Sequence, residues 1–429
     1  MHNWISLTEA ARRLGVRAQT VYAYASRGSI AVMQDPDDPR KSLYRAEDVV
    51  ALCRKKQVGR KRAALAASTI FGAEPCIHSG ITTFSKGRPW YRGRDSIQLA
   101  DTATLEETAE LLWNATAPVS FDAPDVALPP GERDRQCAFT TLATLAAHGH
   151  STLGRLDSAL HTEAGQLVAS VSRAFGARDA ADADADAGAG TGTGTGAGAL
   201  RIHQRLAAGW GLDSDGADLL RRAMVLVADH EITSSAFAAR ITASTGASLA
   251  GCLLTGLATL SGPLHGDASG RVRAVFDDIE RLGAERVVDH HLKSAIPIPG
   301  FGHHLYPDGD PRAAALLARL DPPPELARFI DKVTTLTGQR PTIDVALAML
   351  SVQLRLPRDA AFGLFSIARS VGLLAHCIEQ LRVGKVIRPR SRYTGPALDE
   401  RHLRADAEDD RRLPKAAVIE KNRVFKVVD

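Results

Sequence analysis

The sequence predicts a mainly α-helical protein of two or three domains, with a separate basic head over its first 62 residues. Three observations carry this. A chain of 429 residues with 45% hydrophobic side chains can bury a sizeable core and is long enough for more than one domain. Pro and Gly fall mostly between long periodic segments rich in Ala, Leu, Arg and Val, the pattern of helices separated by turns. Residues 1–62 hold 13 Lys/Arg against 6 Asp/Glu, whereas the remainder sums to −3 within a net charge of +4. A basic head on a near-neutral body points to an anionic partner for the head alone. No run of about 18 apolar residues occurs, so no membrane-spanning helix is expected. The opening Met1-His-Asn-Trp-Ile lacks the basic and apolar regions of a secretory signal. Five scattered cysteines (Cys53, Cys76, Cys137, Cys252, Cys377) include no CxxC pair, so neither a disulfide framework nor a zinc site is expected. The plain reading is a reduced, cytoplasmic protein.

In chain order, Ser6 to Gly15 reads as a short helix capped by Ser6 or Thr8 and stopped by Gly15. Val16 to Gly28 reads as a second helix, again closed by Gly; two short helices joined by a tight Gly turn are the helix-turn-helix signature. Ile30 to Tyr44 reads as two short strands around the turn-rich tip 35–41. Residues from Arg45 onward start a third helix that runs into the basic clusters at 54–56 and 60–62. In "LTEAARRLGV", "TVYAYASRG" and "YRAEDV" this segment resembles the winged helix-turn-helix of the MerR/excisionase group. The resemblance implies DNA as a partner of residues 1–62, with the second helix in the major groove and the hairpin tip on the phosphate backbone. Arg17, Gln19, Thr20, Tyr24, Arg27, Arg40 and Lys41 are then the candidate contacts. The other reading is a head of this shape that serves as an oligomerisation or docking arm.

Residues 63 to about 83 read as a linker and a first strand, and Trp90-Tyr-Arg-Gly-Arg94 follows a polar turn. Asp101 to Trp113 reads as one helix, and residues 134–176 as two or three more. The Asp-Ala and Gly-Thr run at 179–198 is too poor in apolar area to offset its ordering entropy and reads as a mobile surface loop. Ala223 to Glu231 reads as an apolar helix ending in Asp229, His230 and Glu231, either a solvated helix end or the lining of a cleft. Ile241 to Leu260 reads as a helix of small residues stopped by Gly262-Pro263, because Pro donates no N–H and restricts the residue before it. His265 therefore stands at an element boundary, either structural or turned into a cleft. Ile298 to Arg312 is a Gly/Pro-punctuated loop with two histidines, two aromatics and an arginine, too dense in special residues for a mere connection. Asp344 stands just before an apolar helix over 345–356, as a helix-dipole partner or as a buried base.

Together, "DHE" at 229–231, "GPLHG" at 262–266, "PGFGH…DPR" at 299–312, "ID" at 343–344, "IARSVGLLAH" at 367–376 and "RPRSRYTG" at 388–395 resemble citrate synthase. "YRG" at 91–93 adds to the resemblance, which spans about 70 to 396 with every motif in order. It implies a two-domain helical fold: a catalytic region at 63–396, a small domain at about 267–372 that closes over the substrate, and a C-terminal tail at 397–429. It also implies condensation of acetyl-CoA with oxaloacetate and hydrolysis of citryl-CoA to citrate and CoA. The CoA thioester is itself a substrate, and neither a metal nor another cofactor is implied.

A thioester methyl is a weak acid, so this chemistry needs a carboxylate base and a donor that holds the forming enolate oxygen. By resemblance Asp344 is the base and a neutral His265 donates to the thioester carbonyl, while His303 polarises and protonates the carbonyl of the 2-oxo acid. Arg312, Arg369 and Arg388 fall at carboxylate-binding positions, where a guanidinium fork suits two oxygens, and His230 adds a hydrogen bond. Pro299, Gly300, Phe301 and Gly302 are placed to cradle coenzyme A. The family's counterpart of Arg388 reaches in from the other subunit, which implies a homodimer. Taken singly, Arg312 also reads as a mere partner of Asp310, and Arg388 with Arg390 as a solvated basic strand.

Some residues depart from the family pattern. Asp267 stands where a small or apolar residue is commoner, and a charge facing the cleft there would raise the pKa of His265. His304 replaces an arginine, "PTID" replaces "PNVD", and "GLLAHC" replaces "GWIAHW". These bear on which 2-oxo acid and acyl-CoA are preferred. Two rival readings follow: a 2-methylcitrate synthase using propionyl-CoA, and a DNA-binding regulator that senses oxaloacetate, citrate or acyl-CoA through the same fold.

Overall fold

The computed structural model describes residues 4–16, 18–26, 28–36, 38, 41–52, 77–122, 126–178, 200–389 and 395. The expected loop at 179–198, the tail at 397–429, the basic clusters at 54–56 and 60–62, and Arg17, Arg27 and Arg40 lie outside the described residues. The chain divides into two units, Met1–Gly80 and Ile81–Asp429.

In the first unit, β1 (Trp4–Ser6) leads into α1 (Leu7–Leu14) and α2 (Ala18–Ser26), followed by β2 (Val32–Gln34), β3 (Ser42–Arg45) and α3 over residues 46–52. Ser6, not Thr8, caps α1: its hydroxyl accepts the Glu9 N–H at 3.3 Å, and Gly15 closes the helix at φ +63°. β3 is the central strand, antiparallel to both β1 and β2. β1 escaped the sequence reading because three residues are too few to show alternation. Ile5, Leu14, Val21, Ile30, Tyr44 and Val49 form the core. The Asp48 carboxylate joins α3 to the sheet by accepting from Ala31 N–H and pairing with Arg45. On α2 the exposed ring is that of Tyr22, 53% accessible, whereas Tyr24 packs against the core; Gln19 and Lys41 are exposed and Thr20 is half-buried.

The second unit opens with an antiparallel meander of β4 (Thr82–Ser85), β5 (Arg88–Tyr91) and β6 (Arg94–Asp95). Helices follow: α4 (Ser96–Thr102), α5 (Leu105–Trp113), α6 (Arg135–His148), α7 (Asp157–Ala174), α8 (Ile202–Gly209), α9 (Ser214–Val227), α10 (Ser234–Ser244) and α11 (Leu249–Leu260). Then come α12 (Ala268–Leu282), α13 (Ala284–Lys293), α14 (Pro311–Leu317), α15 (Pro324–Thr337), α16 (Ile343–Gln353) and α17 (Ala360–Val383).

Several boundaries differ from expectation, each for a local reason. The helix expected over 101–113 is two helices, because Thr104 and Glu107 form a capping box that starts α5 afresh. The helix expected over 241–260 breaks at Gly246 (φ +79°), and Ser248 caps α11. Helix α9 ends at Val227, so Asp229, His230 and Glu231 lie in the turn beyond it, with Glu231 at φ +63°. Helix α16 starts at Ile343, which puts Asp344 inside its first turn rather than before it.

Apolar side chains gather in two clusters. The first surrounds α17, which packs against α5, α7, α9, α10 and α11. Although no unbroken apolar run occurs, α17 is long and apolar enough to cross a membrane, with a mean hydropathy of 1.6 over its most apolar window, and that window is wholly buried in the protein. The second cluster spans residues 272–349 on α12, α13, α15 and α16. The limit expected at 372 for a small domain falls in the middle of α17, whose buried apolar side chains all join the first cluster. Helix α16 is apolar all round: Ile343, Ala346, Leu347 and Leu350 face the first cluster, Val345, Ala348 and Met349 the second.

Gly372 lets α17 approach the 228–229 backbone, since a Cβ there would stand 2.4 Å from both the Ala228 carbonyl oxygen and Asp229 Oδ1. Gly372→Ala should therefore destabilise the protein by about 1–3 kcal/mol, the cost of overpacking, measured by the urea midpoint. An unchanged midpoint contradicts this packing.

Candidate active site

The site starts from Asp310, the N-cap of α14. Its carboxylate accepts from the Arg312 N–H (3.0 Å), Arg312 Nε (3.0 Å) and Arg312 Nη2 (2.8 Å), and from the Ile343 N–H at the head of α16 (3.0 Å). Burial would raise the Asp310 pKa, but Arg312 and these hydrogen bonds hold it below its usual value. The loop ahead of α14 is tied to the same place. Gly300, at φ +83°, accepts the Thr342 N–H through its carbonyl (2.8 Å), and the Gly302 N–H donates to the Arg340 carbonyl (2.9 Å). A Cβ on Gly300 would meet Val272 and Val345 at 2.6 Å, so only glycine allows this approach. Phe301 turns into the second cluster, its ring 5.6 Å from that of Phe329; Pro299 is half-buried.

Asp344 therefore stands one residue beyond the Asp310 anchor. Thr342 Oγ1 donates to its Oδ2 at 3.1 Å. Burial pushes its pKa up to about 6, against the pull of Arg312. A carboxyl with that pKa can exchange a proton near neutral pH, and its place in the first turn of α16 also suits the helix dipole.

Three histidines lie near Arg312 or Arg369. The Leu305 N–H donates to His303 Nδ1 at 3.2 Å, so the proton of the neutral ring sits on Nε2. Burial, with Arg312 beside it, lowers His303 to about 4. His230 is buried with Nε2 at 2.9 Å from the Tyr306 hydroxyl and its ring 5.5 Å from that of His303; burial, Arg312 and Arg369 keep it neutral. His265 lies across from α10: the Ser235 N–H points at its Nε2 (3.4 Å) and the Ser235 hydroxyl is 2.8 Å from the same nitrogen. Nε2 is thus the acceptor and Nδ1–H the outward donor. Burial and Arg369 lower His265 to about 4. The increase anticipated from Asp267 does not occur, because Arg135 binds that carboxylate, with Nη2 2.8 Å from Oδ1.

Arg369 is buried in α17, where Nε donates to the Val227 carbonyl (2.9 Å) and the guanidinium lies 4.7 Å from the Phe365 ring centre. Arg312 gives Nε and Nη2 to Asp310, so the reading of it as an Asp310 partner holds. A guanidinium has five N–H groups, and three of those on Arg312 have no partner among the described residues. Arg388 stands apart from these groups, exposed, next to an Ile387 whose N–H donates to Ser244 Oγ (3.0 Å). His304 is exposed and stacks on His303 at 4.9 Å. Among the described residues no three His, Cys, Asp or Glu side chains gather as a metal site.

Sequence reasoning missed Ser235 and Tyr306 as partners of the histidines. Neither carries a local signal, since each is read only from its contact across the fold. The role of Asp310 was legible, because Asp-Pro at an N-cap and first helical position is a helix-start signature.

A model of the citrate synthase family, described as the citrate synthase C-terminal domain, matches residues 70–390. The putative citrate synthase 2 of Mycobacterium tuberculosis is 36% identical over 185 residues, covering 40% of this chain and 50% of that protein. The citrate/2-methylcitrate synthase of Bacillus subtilis is 33% identical over 190 residues, 41% of this chain and 50% of that one. The chain thus spans about half the length of the curated relatives it matches. Among solved structures, citrate synthase from Thermotoga maritima superposes with a TM-score of 0.59 at 26% identity, covering 75% of this chain and 94% of its own. The Thermoplasma acidophilum citrate synthase, solved in ternary complex with carboxymethyl coenzyme A and oxaloacetate, superposes at 22% identity with a TM-score of 0.61 over 77% of this chain and 97% of its own, a likeness of fold. 

The site electrostatics set a pH dependence of stability. His203, His265 and His303 are each lowered to about 4 by burial. An unfolded histidine titrates near 6.5, so on acidification the unfolded chain takes up protons first. Their contribution is fully present above about pH 6.5 and is lost as pH falls from there to about 4. Urea midpoints should decline across that window; a flat profile contradicts the neutral assignment.

Proposed function

Because this chain belongs to the citrate synthase family, we propose that it condenses acetyl-CoA with oxaloacetate and hydrolyses the citryl-CoA to citrate and free CoA. The observation that carries this is a carboxyl near Arg312 poised at about 6, together with histidines held neutral and a backbone N–H on one nitrogen of both His265 and His303. Asp344 takes a proton from the thioester methyl, and His265 Nδ1–H donates to the thioester carbonyl as its oxygen gains charge. The enol carbon forms the new bond to the oxaloacetate carbonyl carbon, and His303 Nε2–H delivers a proton to the oxygen that becomes the hydroxyl. Water then cleaves the thioester and CoA leaves as the thiol. Arg369, Arg312 and His230 hold the carboxylates of oxaloacetate; the free N–H groups of Arg312 suit that task while Asp310 keeps it in place.

Coenzyme A is assigned to the 299–302 loop, whose position depends on Gly300. The small domain is assigned to about 267–372, supported over 272–349 by the separate second cluster, while the start of α17 joins the first cluster. Arg388, exposed on its own subunit, is assigned to the site of a second copy in a homodimer, and the setting is cytoplasmic. For residues 1–62 the reading is a MerR/excisionase-like winged helix-turn-helix that binds DNA. Its support is the Gly-closed pair α1 and α2, the basic balance of the segment, and the exposed Gln19 and Tyr22 on α2.

Thiol release from acetyl-CoA should require oxaloacetate, and Asp344→Asn should lower kcat by about 10²–10⁴-fold. In the free enzyme Asp344 must be ionised to act, so kcat/KM should rise with pH through about 6 and then level. Faster release from propionyl-CoA would assign 2-methylcitrate synthesis instead. No release from a protein that still binds oxaloacetate would overturn the enzyme reading in favour of a ligand-sensing regulator. The full chain should also retard duplex DNA with a strong salt dependence, lost when Lys41 and Gln19 are changed to Glu; no retardation at low salt rejects the DNA role of the head.

A further inference from the structure

Asp267 is the charge that the family pattern does not explain and the proposed reaction does not use. It is the N-cap of α12, the first helix of the second cluster, and directly follows the turn that carries His265. That turn is compact: the His265 N–H donates to the Gly262 carbonyl (2.9 Å) and the Gly266 N–H to the Leu260 carbonyl (2.8 Å). A Cβ on Gly266 would stand 2.6 Å from that last oxygen, so the turn has little room to reshape. A displacement of Asp267 is therefore passed to His265.

Asp267 offers α12 no side-chain cap. Its two oxygens go instead to Arg135, the first residue of α6, at 2.8 Å (Nη2) and 3.3 Å (Nη1). Arg135 Nη2 also reaches Asp359 Oδ1 (3.1 Å), and its guanidinium lies 3.7 Å from the centre of the Phe362 ring. Asp359, the N-cap of α17, likewise forgoes its own helix and accepts the Arg135 N–H, one of the orphan donors that open α6 (3.0 Å). Helices α6 and α17 belong to the first cluster and α12 to the second, so Arg135 ties the two clusters together two residues from His265. A second ion pair crosses the same junction, Arg358 with Asp277 at 3.3 Å, but Arg358 is 88% exposed and such a pair holds little. The side chains of Arg135, Asp267 and Asp359 are about one-third exposed, and the guanidinium is held by a two-point fork and by the Phe362 ring.

We propose that Arg135 is a positioning residue for the condensation: by gripping Asp267 against Asp359 it sets how the two clusters meet, and so where His265 stands relative to Asp344. The proposal rests on the catalytic reading of those two groups. His230, Arg312 and Arg369 stand on or beside elements of the first cluster and need no such clamp, whereas Asp344 stands on α16, which faces both clusters.

The test compares wild type, Arg135→Ala, Asp267→Ala and the double variant by thiol release from acetyl-CoA, with both substrates varied. Each single variant should lose about 10–100-fold in kcat, the scale of misplaced reacting groups, while KM for oxaloacetate changes less than about 3-fold. The double variant should be no worse than Arg135→Ala, because the two changes break one contact. Raising the salt should lower wild-type kcat towards that of the variants and leave theirs flat. Wild-type kcat in either folded variant overturns the proposal, as does a loss that falls on KM for oxaloacetate alone. Where Arg135→Ala does not fold, Asp267→Ala decides, since that side chain caps nothing in its own helix. A wild type without oxaloacetate-dependent release fails the proposed function and the positioning role with it; an active wild type with indifferent variants fails the clamp alone.

Discussion

The carboxylate of Asp310 holds the site together. It is 3% exposed and accepts four hydrogen bonds, three from Arg312 and one from Ile343. A carboxylate has about four lone-pair sites, so it is saturated, and removing either partner would strand a buried charge. This one group joins the head of α14 to the head of α16 and thereby places Arg312 and Asp344. It also divides two carboxyls by protonation. Asp310, forked by Arg312, is held ionised, whereas Asp344 carries its burial with less help and rises to about 6.

The histidines follow the same logic of neighbours. Burial keeps all three neutral, helped by Arg312 and Arg369 at His230, by Arg369 at His265 and by Arg312 at His303. The backbone then chooses their tautomers: the Ser235 N–H occupies Nε2 of His265, and the Leu305 N–H occupies Nδ1 of His303. One ring presents Nδ1–H and the other Nε2–H. Two buried arginines stand near these rings, and each has a carboxylate close by: Asp310 pairs with Arg312, and Asp229 lies near Arg369.

The apolar frame makes this arrangement rigid. Helix α17 is largely buried yet carries Arg369, because Arg369 Nε finds the carbonyl of Val227, the last residue of α9. Gly372 on the same helix removes the side chain that would push away the 228–229 turn and with it His230. Helix α16 faces both clusters, so Asp344 sits where they meet.

Much of this was legible in the sequence, because its signals are local. Gly15 and Ser6 mark α1, "DPR" marks the head of α14, and the ordered motifs named the three histidines, Asp344, Arg312 and Arg369. The sequence misjudged helix continuity at Thr104 and Gly246, where a cap or a left-handed glycine restarts a helix without interrupting its composition. It also left Asp267 as a threat to His265, which Arg135, 132 residues away, removes. By itself, then, the sequence determined which groups are present and in what order along the helices. Only the tertiary structure decided which carboxyl is raised to about 6 and which ring nitrogen donates. Those choices belong to contacts such as Ser235 with His265 and Asp310 with Ile343, which join residues about thirty positions apart through the fold.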